Sequence, residues 1–343
     1  MNDLSNELFD ACHDRDVTTI NCIVKDYPNL AARKDEHGNT PLHIACENGL
    51  SAMDCLCSAF PDALTMINDL GASPFHMAVS HGNSVENIMH LENKYPLGLV
   101  ATNENGDLPI HWIGKRASET FVAHLLGMFP RSAAVKNKEG ALPIHVACNK
   151  GSSLNVIRLL HEAHPEGILQ PDKDGMLPLH DSCRRSPSLE VIKLCASLSV
   201  ESFYKADKKG NLPLHYAVRG TPEVVQFVLE TNKSALQTPN ERGNLPIHVA
   251  CIKSPNIDVL KLLHENFPEG IKTKTLKGLL PFHLALNNLS VLTYLFDLYG
   301  DAIDISDRKG RYPMHIACRK GSLILFILYY LTTKTNLFLK ATL

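Results

Sequence analysis

The chain has 343 residues, 44% hydrophobic and 20% charged, a balance that supports a folded interior and excludes a disordered chain. A formal net charge of −2 and a pI near 6.8 exclude a global pull toward nucleic acid or an anionic membrane. No run reaches the roughly 20 apolar residues that cross a bilayer, the longest apolar stretch being Leu323–Leu331 (LILFILYYL). In chain order, Met1 to Asp16 carries acids and no apolar stretch of signal-peptide length, so secretion is not expected. The ten cysteines then read as reduced thiols of an intracellular, cytoplasmic protein. Leu8 to Pro28 (LFDACHDRDVTTINCIVKDYP) keeps the rhythm of two helices and reads as a degenerate capping unit over residues 1–33.

From Gly38 onward one phrase recurs nine times: a glycine, a proline three residues later and a histidine two after that. The glycines run from Gly38 to Gly310, and the histidines are His43, His76, His111, His145, His180, His215, His248, His283 and His315, spaced by 32 to 35 residues. One such unit cannot bury its own apolar face, so the spacing predicts an elongated array of nine stacked units over residues 34–331, with residues 332–343 as a tail.

The stretch Asn137 to Pro165 (NKEGALPIHVACNKGSSLNVIRLLHEAHP) gives the grammar. Gly140 closes a polar turn, and Pro143 suits the first position of a short helix to Asn149, where its missing N–H costs nothing. Gly151 and two serines break that helix. Leu154, Ile157, Leu159 and Leu160 then mark a longer helix closed before Pro165. Turn, short helix, break and longer helix are expected to complete the unit. Phe60-Pro61, Tyr95-Pro96, Phe129-Pro130, His164-Pro165 and Phe267-Pro268 repeat the stop signal.

Gly38-Asn39-Thr40-Pro41-Leu42-His43-Ile44-Ala45-Cys46 resembles the ankyrin-repeat motif, G-x-T-P-L-H-x-A, and the likeness recurs nine times over almost the whole chain. The resemblance implies an all-α ankyrin-repeat solenoid of stacked helix pairs with projecting hairpin tips. It also implies a concave protein-binding surface made by the tips and the exposed side of each first helix. The threonine before proline is kept at Thr40 and replaced by Ser73, but it becomes leucine at 108, 142, 177, 212, 245 and 280 and tyrosine at 312. The family's hydroxyl-to-histidine bond therefore does not carry over to seven repeats. Losing a capping hydroxyl costs about 1 kcal/mol, whereas burying a leucine stabilises by roughly 1.5–3 kcal/mol.

The nine histidines do not read as a metal ladder. Stacked helices lie about 8–10 Å apart, whereas zinc ligands each stand near 2 Å from the ion. They are expected to satisfy backbone groups between repeats. Cys46, Cys148, Cys183, Cys251 and Cys318 follow a motif histidine by three residues, where other repeats hold Val79, Gly114, Val218 and Leu286, which marks a packing slot. His161-Glu162-Ala163-His164 is one residue short of H-E-x-x-H and reads as a helix end. With no Walker A loop, nucleophile elbow or dinucleotide fingerprint, the chain reads as non-enzymatic, with no cofactor and no metal.

The fourth and fifth positions after each histidine carry a basic stripe from the third repeat onward: Lys115, Arg116, Lys150, Arg184, Arg185, Arg219, Lys253, Arg319 and Lys320. The three residues ahead of each motif glycine sum to −5 over the first five tips and +3 over the last four. The stripe and the tips would together steer an acidic or phosphorylated segment of a partner toward the C-terminal half. The same cations also suit the carbonyl pole of a short helix and solubility, so both readings stand at this point. The expected role is a protein-interaction scaffold or adaptor. The alternatives are an anion or nucleic-acid binder, against which stands the lack of aromatics interleaved with the stripe beyond Trp112, or the ankyrin region of a larger signalling enzyme or channel. Leu323–Leu331 is apolar all round and calls for cover by a further repeat, by the tail 336–343 or by self-association.

Overall fold

Nine polar tips, each closed by a motif glycine, organise the chain in the computed structural model, which describes residues 2–49, 52–81, 85–115, 117–185, 188–253 and 256–322. Each of these glycines sits at φ between 71° and 79°, a left-handed conformation in which a Cβ would strain the backbone. Three residues ahead stands Asp35, Asn68, Asn103, Asn137, Asp172, Asp207, Asn240 or Asp307, whose Oδ1 accepts the backbone N–H groups two and four residues on at 2.8–3.0 Å. Thr275 fills that place in the eighth tip, its hydroxyl accepting Leu279 N–H at 3.1 Å. A short polar side chain thus builds the turn that the glycine lets the chain complete.

Within each unit most consecutive tips are stitched together. Asp69 N–H donates to His37 O at 3.0 Å, Lys173 N–H to Glu139 O at 2.9 Å, Glu241 N–H to Lys209 O at 3.0 Å and Arg308 N–H to Lys277 O at 3.1 Å. Side-chain amides add Asn68 to Asn39, Asn137 to Asp107 and Asn240 to Asn211 at 2.7–2.8 Å.

After each tip a proline opens the first helix, as at Pro41–Asn48, Pro74–Ser80, Pro143–Lys150 and Pro246–Lys253. The expected break and second helix follow: Gly151 caps the first helix at φ 65°, and Leu154–Ala163 forms the second, with Val156, Ile157 and Leu160 buried. His161 and His164 fall at its end, as the sequence indicated. Among the described residues there are eighteen α-helices and no strand. Residues 1–33 contribute the pair Asn2–Asp14 and Val17–Asp26.

The expected four-part grammar is incomplete. The proline that ends each second helix starts a 3₁₀ turn: Pro28–Ala32, Pro61–Leu64, Pro96–Val100, Pro130–Ala134, Pro165–Leu169 and Pro268–Lys272. Proline has no N–H to give but its fixed φ suits the first residue of such a turn. Each turn buries a small or apolar pair, for example Ala63 and Leu64, Gly98 and Leu99, or Gly167 and Ile168. The third repeat also departs from expectation, its first helix shrinking to the 3₁₀ turn Pro109–Trp112. Ile113 stands there where the other repeats have Ala or Ser, and Gly114 follows; a β-branched residue and a glycine both disfavour continuing the helix.

The contacts group the chain into two compact units, one ending at Ser182 and the other beginning at Cys183. In the first, the helices Asn2–Asp14, Pro41–Asn48 and Pro74–Ser80 pack in series as one layer, and Val17–Asp26 and Met53–Ala59 belong to a second. In the second unit, Pro213–Ala217, Pro246–Lys253, Pro281–Leu284 and Pro313–Lys320 form one layer. Leu189–Leu198, Pro222–Thr231, Ile257–Asn266 and Leu289–Leu298 form the other. The apolar stretch 323–331 and the tail 332–343 lie outside the described residues.

The tip glycines give a direct test. A Cβ on Gly243 would stand 2.5 Å from Leu276 N in the next tip, whereas one on Gly310 meets nothing within 4 Å among the described residues. Gly310→Ala should cost about 1–2 kcal/mol for the left-handed backbone alone, and Gly243→Ala should cost at least about 1 kcal/mol more through overpacking. Urea melts of the two variants measure the difference, and equal losses would remove the close-approach account.

Candidate functional site

Seven of the nine motif histidines are fixed from both ring nitrogens. The backbone N–H of the residue before the proline donates to Nδ1 at 3.0–3.2 Å in all nine repeats, from Thr40 to Tyr312. Nδ1 is therefore an acceptor and the proton sits on Nε2. Nε2 donates into the next tip's arms: His43 to Ala72 O at 3.0 Å, His76 to Asp107 O at 3.0 Å, His145 to Met176 O at 3.2 Å and His215 to Asn244 O at 3.1 Å. His111, His248 and His283 reach Val135, Thr273 and Ile305 at 3.0–3.1 Å. These seven rings have no nitrogen left for a metal.

The hydroxyl bonds to Nδ1 exist at Thr40 and Ser73, both at 2.8 Å. Where leucine replaces them the backbone bond persists, and all six leucines are at most 5% exposed. The substitution exchanges one polar contact for buried apolar area without releasing the histidine. Tyr312 is exposed, and so is His315 beside it. In the cysteine slot, Cys46, Cys148, Cys183 and Cys251 are buried, while Cys318 is exposed. All ten cysteines are free thiols.

Among the stripe residues, Lys115 and Lys150 lie exposed in the first unit. The Lys115 stem passes 3.6 Å from where a Cβ on Gly151 would stand, so the two cations share one surface. Arg116 lies outside the described residues. Trp112 is half-buried, edge-on to the His76 ring at 5.5 Å between centroids. The earlier fourth and fifth positions bind neighbouring repeats instead: Glu47 meets His81 at 3.3 Å, Asn48 donates to Cys12 O at 3.1 Å, and Asn149 donates to Asp181 at 3.1 Å.

In the second unit, Arg185, Arg219, Lys253, Arg319 and Lys320 are exposed around the ends of the first helices. Among the described residues, no carboxylate lies within ion-pair distance of any of them. Four other cations of that unit pair one turn along the chain: Lys193 with Glu190, Lys205 with Glu201, Lys261 with Asp258 and Lys272 with Glu269, at 2.6–3.8 Å. Arg184 is different. It is half-buried, and its charge acts on the Tyr216 hydroxyl.

The tip charges need a correction. The acids at the first tip position are turn-builders and not free surface charge: Asp207 and Asp307 are 7% and 5% exposed. Burial alone would raise the Asp307 carboxyl, but the Arg311 guanidinium and the Arg311 and Lys309 N–H groups more than offset it and hold it at about 2. With that position set aside, the last four tips carry six cations and one acid: Lys208, Lys209, Glu241, Arg242, Lys277, Arg308 and Lys309. The first five retain five acids against two cations. The asymmetry survives once the turn chemistry is removed. A motif of Asx followed by glycine three residues later, read eight times, was the available signal for it.

Burial holds His43, His145 and His248 at about 4, well below the ordinary imidazole value of 6.5. The unfolded chain takes up protons near 6.5 and the fold only near 4, so stability stays level above about pH 7 and falls as pH drops from 6.5 toward 4. The loss should approach about 1.4 kcal/mol per pH unit for each histidine in that window. Urea midpoints measured from pH 7.5 to 4.5 read it directly, and a flat profile would contradict the neutral Nε2–H assignment.

The family comparisons fall on the same units. A model described as "Ankyrin repeats (3 copies)" matches residues 145–238, and one described as "Ankyrin repeat" matches residues 37–65. No curated protein matches the chain. No helix among the described residues is long and apolar enough to cross a membrane. With the tip, the proline-led first helix and the histidine bridge recurring in unit after unit, and the family models falling on them, the chain is an ankyrin-repeat protein.

Proposed function

We propose that this protein is a non-enzymatic scaffold or adaptor whose second unit takes an acidic or phosphorylated segment of a partner protein. Ankyrin repeats are protein-interaction modules, and the helix interiors here are committed to stacking. What remains for recognition is the surface at the tips and first-helix ends. The observation that carries the reading is the set of exposed cations at Arg185, Arg219, Lys253, Arg319 and Lys320, with no carboxylate of the described residues beside them. A cation already paired within its own chain has little to offer a ligand, whereas an unpaired one keeps its full charge for a carboxylate or phosphate.

The tips reinforce the direction, since Lys208, Lys209, Arg308 and Lys309 belong to the same unit. Helix-pole stabilisation accounts for one cation per helix end. It does not account for cations at both helix ends and tips within one unit. Ten free cysteines accord with an intracellular setting.

The test uses the full chain and an array of acidic and phosphoserine peptides. Charge reversal at the exposed sites Arg185→Glu and Arg219→Glu leaves the core untouched and should leave the melting temperature within a degree or two. Binding should weaken at least about tenfold, roughly 1.4 kcal/mol, and should weaken similarly between 50 and 300 mM salt. Equal binding by variant and wild type at both salts would remove the charge-reading surface. Arg184 is left intact because it is half-buried.

A further inference from the structure

The eighth repeat is the shortest, with His283 and His315 32 residues apart. Its first helix, Pro281–Leu284, has four residues, while its neighbours Pro246–Lys253 and Pro313–Lys320 have eight each. The chain leaves the helix at Ala285 and crosses directly to Leu289–Leu298, which Asn288 caps by accepting Val291 N–H at 3.2 Å. Because the middle helix stops a turn short, a notch opens between the last turns of its two neighbours.

The notch has a volume of about 440 Å³, within the roughly 300–1,000 Å³ range of ligand pockets. Its lining includes Ile252, Leu284, Lys253, Lys320 and Asn287. Leu284 is half-buried and Ile252 is 45% exposed, so apolar surface lies open inside it. Lys253 and Lys320 flank that surface, exposed and without a carboxylate partner among the described residues. A bare inorganic anion would leave the apolar lining in water. A purely apolar ligand would leave two ammonium groups uncompensated.

We infer that the notch takes an extended peptide of the form acid-x-apolar-x-acid, a reading that rests on the acid-binding surface proposed above and gives it a sequence. In an extended strand, residues two apart point the same way, so the central side chain enters the notch and the acids at either side face the lysines. Four residues of strand span about 13 Å. The two flanking helices are two stacking steps apart, about 16–20 Å, and the flexible lysine arms close the remainder. The central apolar residue supplies burial, and the two ion pairs fix register.

The probe is a labelled heptapeptide, Gly-Asp-Ser-Leu-Ser-Asp-Gly, titrated by fluorescence anisotropy against the full chain at low salt and compared on an array with its variants. Replacing the central Leu by Ser, or moving it one position along, should weaken binding at least tenfold. Asn287→Trp, which fills the notch without changing charge, should do the same, and Lys253→Glu with Lys320→Glu should abolish binding. If the Asn287 variant melts non-cooperatively, the double lysine variant and the peptide series carry the test. Acidic peptides bound equally with Ser or Leu at the centre would overturn the notch assignment and leave the acid-reading surface standing. No binding of any acidic peptide would overturn both.

Discussion

A neutral imidazole that accepts its own helix's entering N–H on Nδ1 and gives its Nε2 proton to the next tip is the contact on which the stacking depends. One side chain in this way satisfies a backbone donor of one repeat and a backbone acceptor of the next, both buried away from water. Leaving either group unpaired would cost about 1–3 kcal/mol. That penalty explains why histidine persists at every unit while its hydroxyl neighbour does not. The hydroxyl of Thr40 or Ser73 adds a second contact to a nitrogen already satisfied, so leucine can displace it and contribute apolar burial. The requirement for a neutral ring also sets the acid limit of the fold.

The tips and the 3₁₀ turns do a different job. Within each unit they hold repeats at fixed spacing through main-chain bonds, and the glycine is required twice, once for its left-handed φ and once because the next tip approaches within 2.5–2.9 Å of where a Cβ would lie at Gly140, Gly210, Gly243 and Gly278. With spacing fixed at the tips and register fixed by the histidines, the length of each first helix is free to vary. Pro109–Trp112, Pro213–Ala217 and Pro281–Leu284 are all short. Such variation costs the stack little, and over Pro281–Leu284 it leaves an opening.

Charge is divided along the same lines. The acids at the head of four tips are consumed in building turns, and the lysines along several second helices and 3₁₀ turns are paired within a turn of chain. The cations left over collect at the tips and helix ends of the second unit. A recognition surface here is what remains after the internal demands of the repeat are met, and its sign follows from that remainder.

Most of the scaffold was legible in the sequence. Gly-x-x-Pro-x-His fixed the repeat, Pro143 the start of its helix, Gly151 the break and Pro165 the end, because each of these residues restricts φ or removes a donor in a way that no tertiary contact relieves. The 3₁₀ turn beyond Pro165 was less so, since proline reads equally as a terminator and as the first residue of a new turn, and burial of Gly167 and Ile168 decides between them. The candidate surface was half legible. The cations could be counted from the sequence, but that Arg184 is half-buried and that Asp207 is spent inside a turn depends on neighbours brought in by folding. The short interval from His283 to His315 was on view from the start. That it opens a notch between Lys253 and Lys320 was decided only by the stack, because a cavity is a property of the neighbours that fail to fill it.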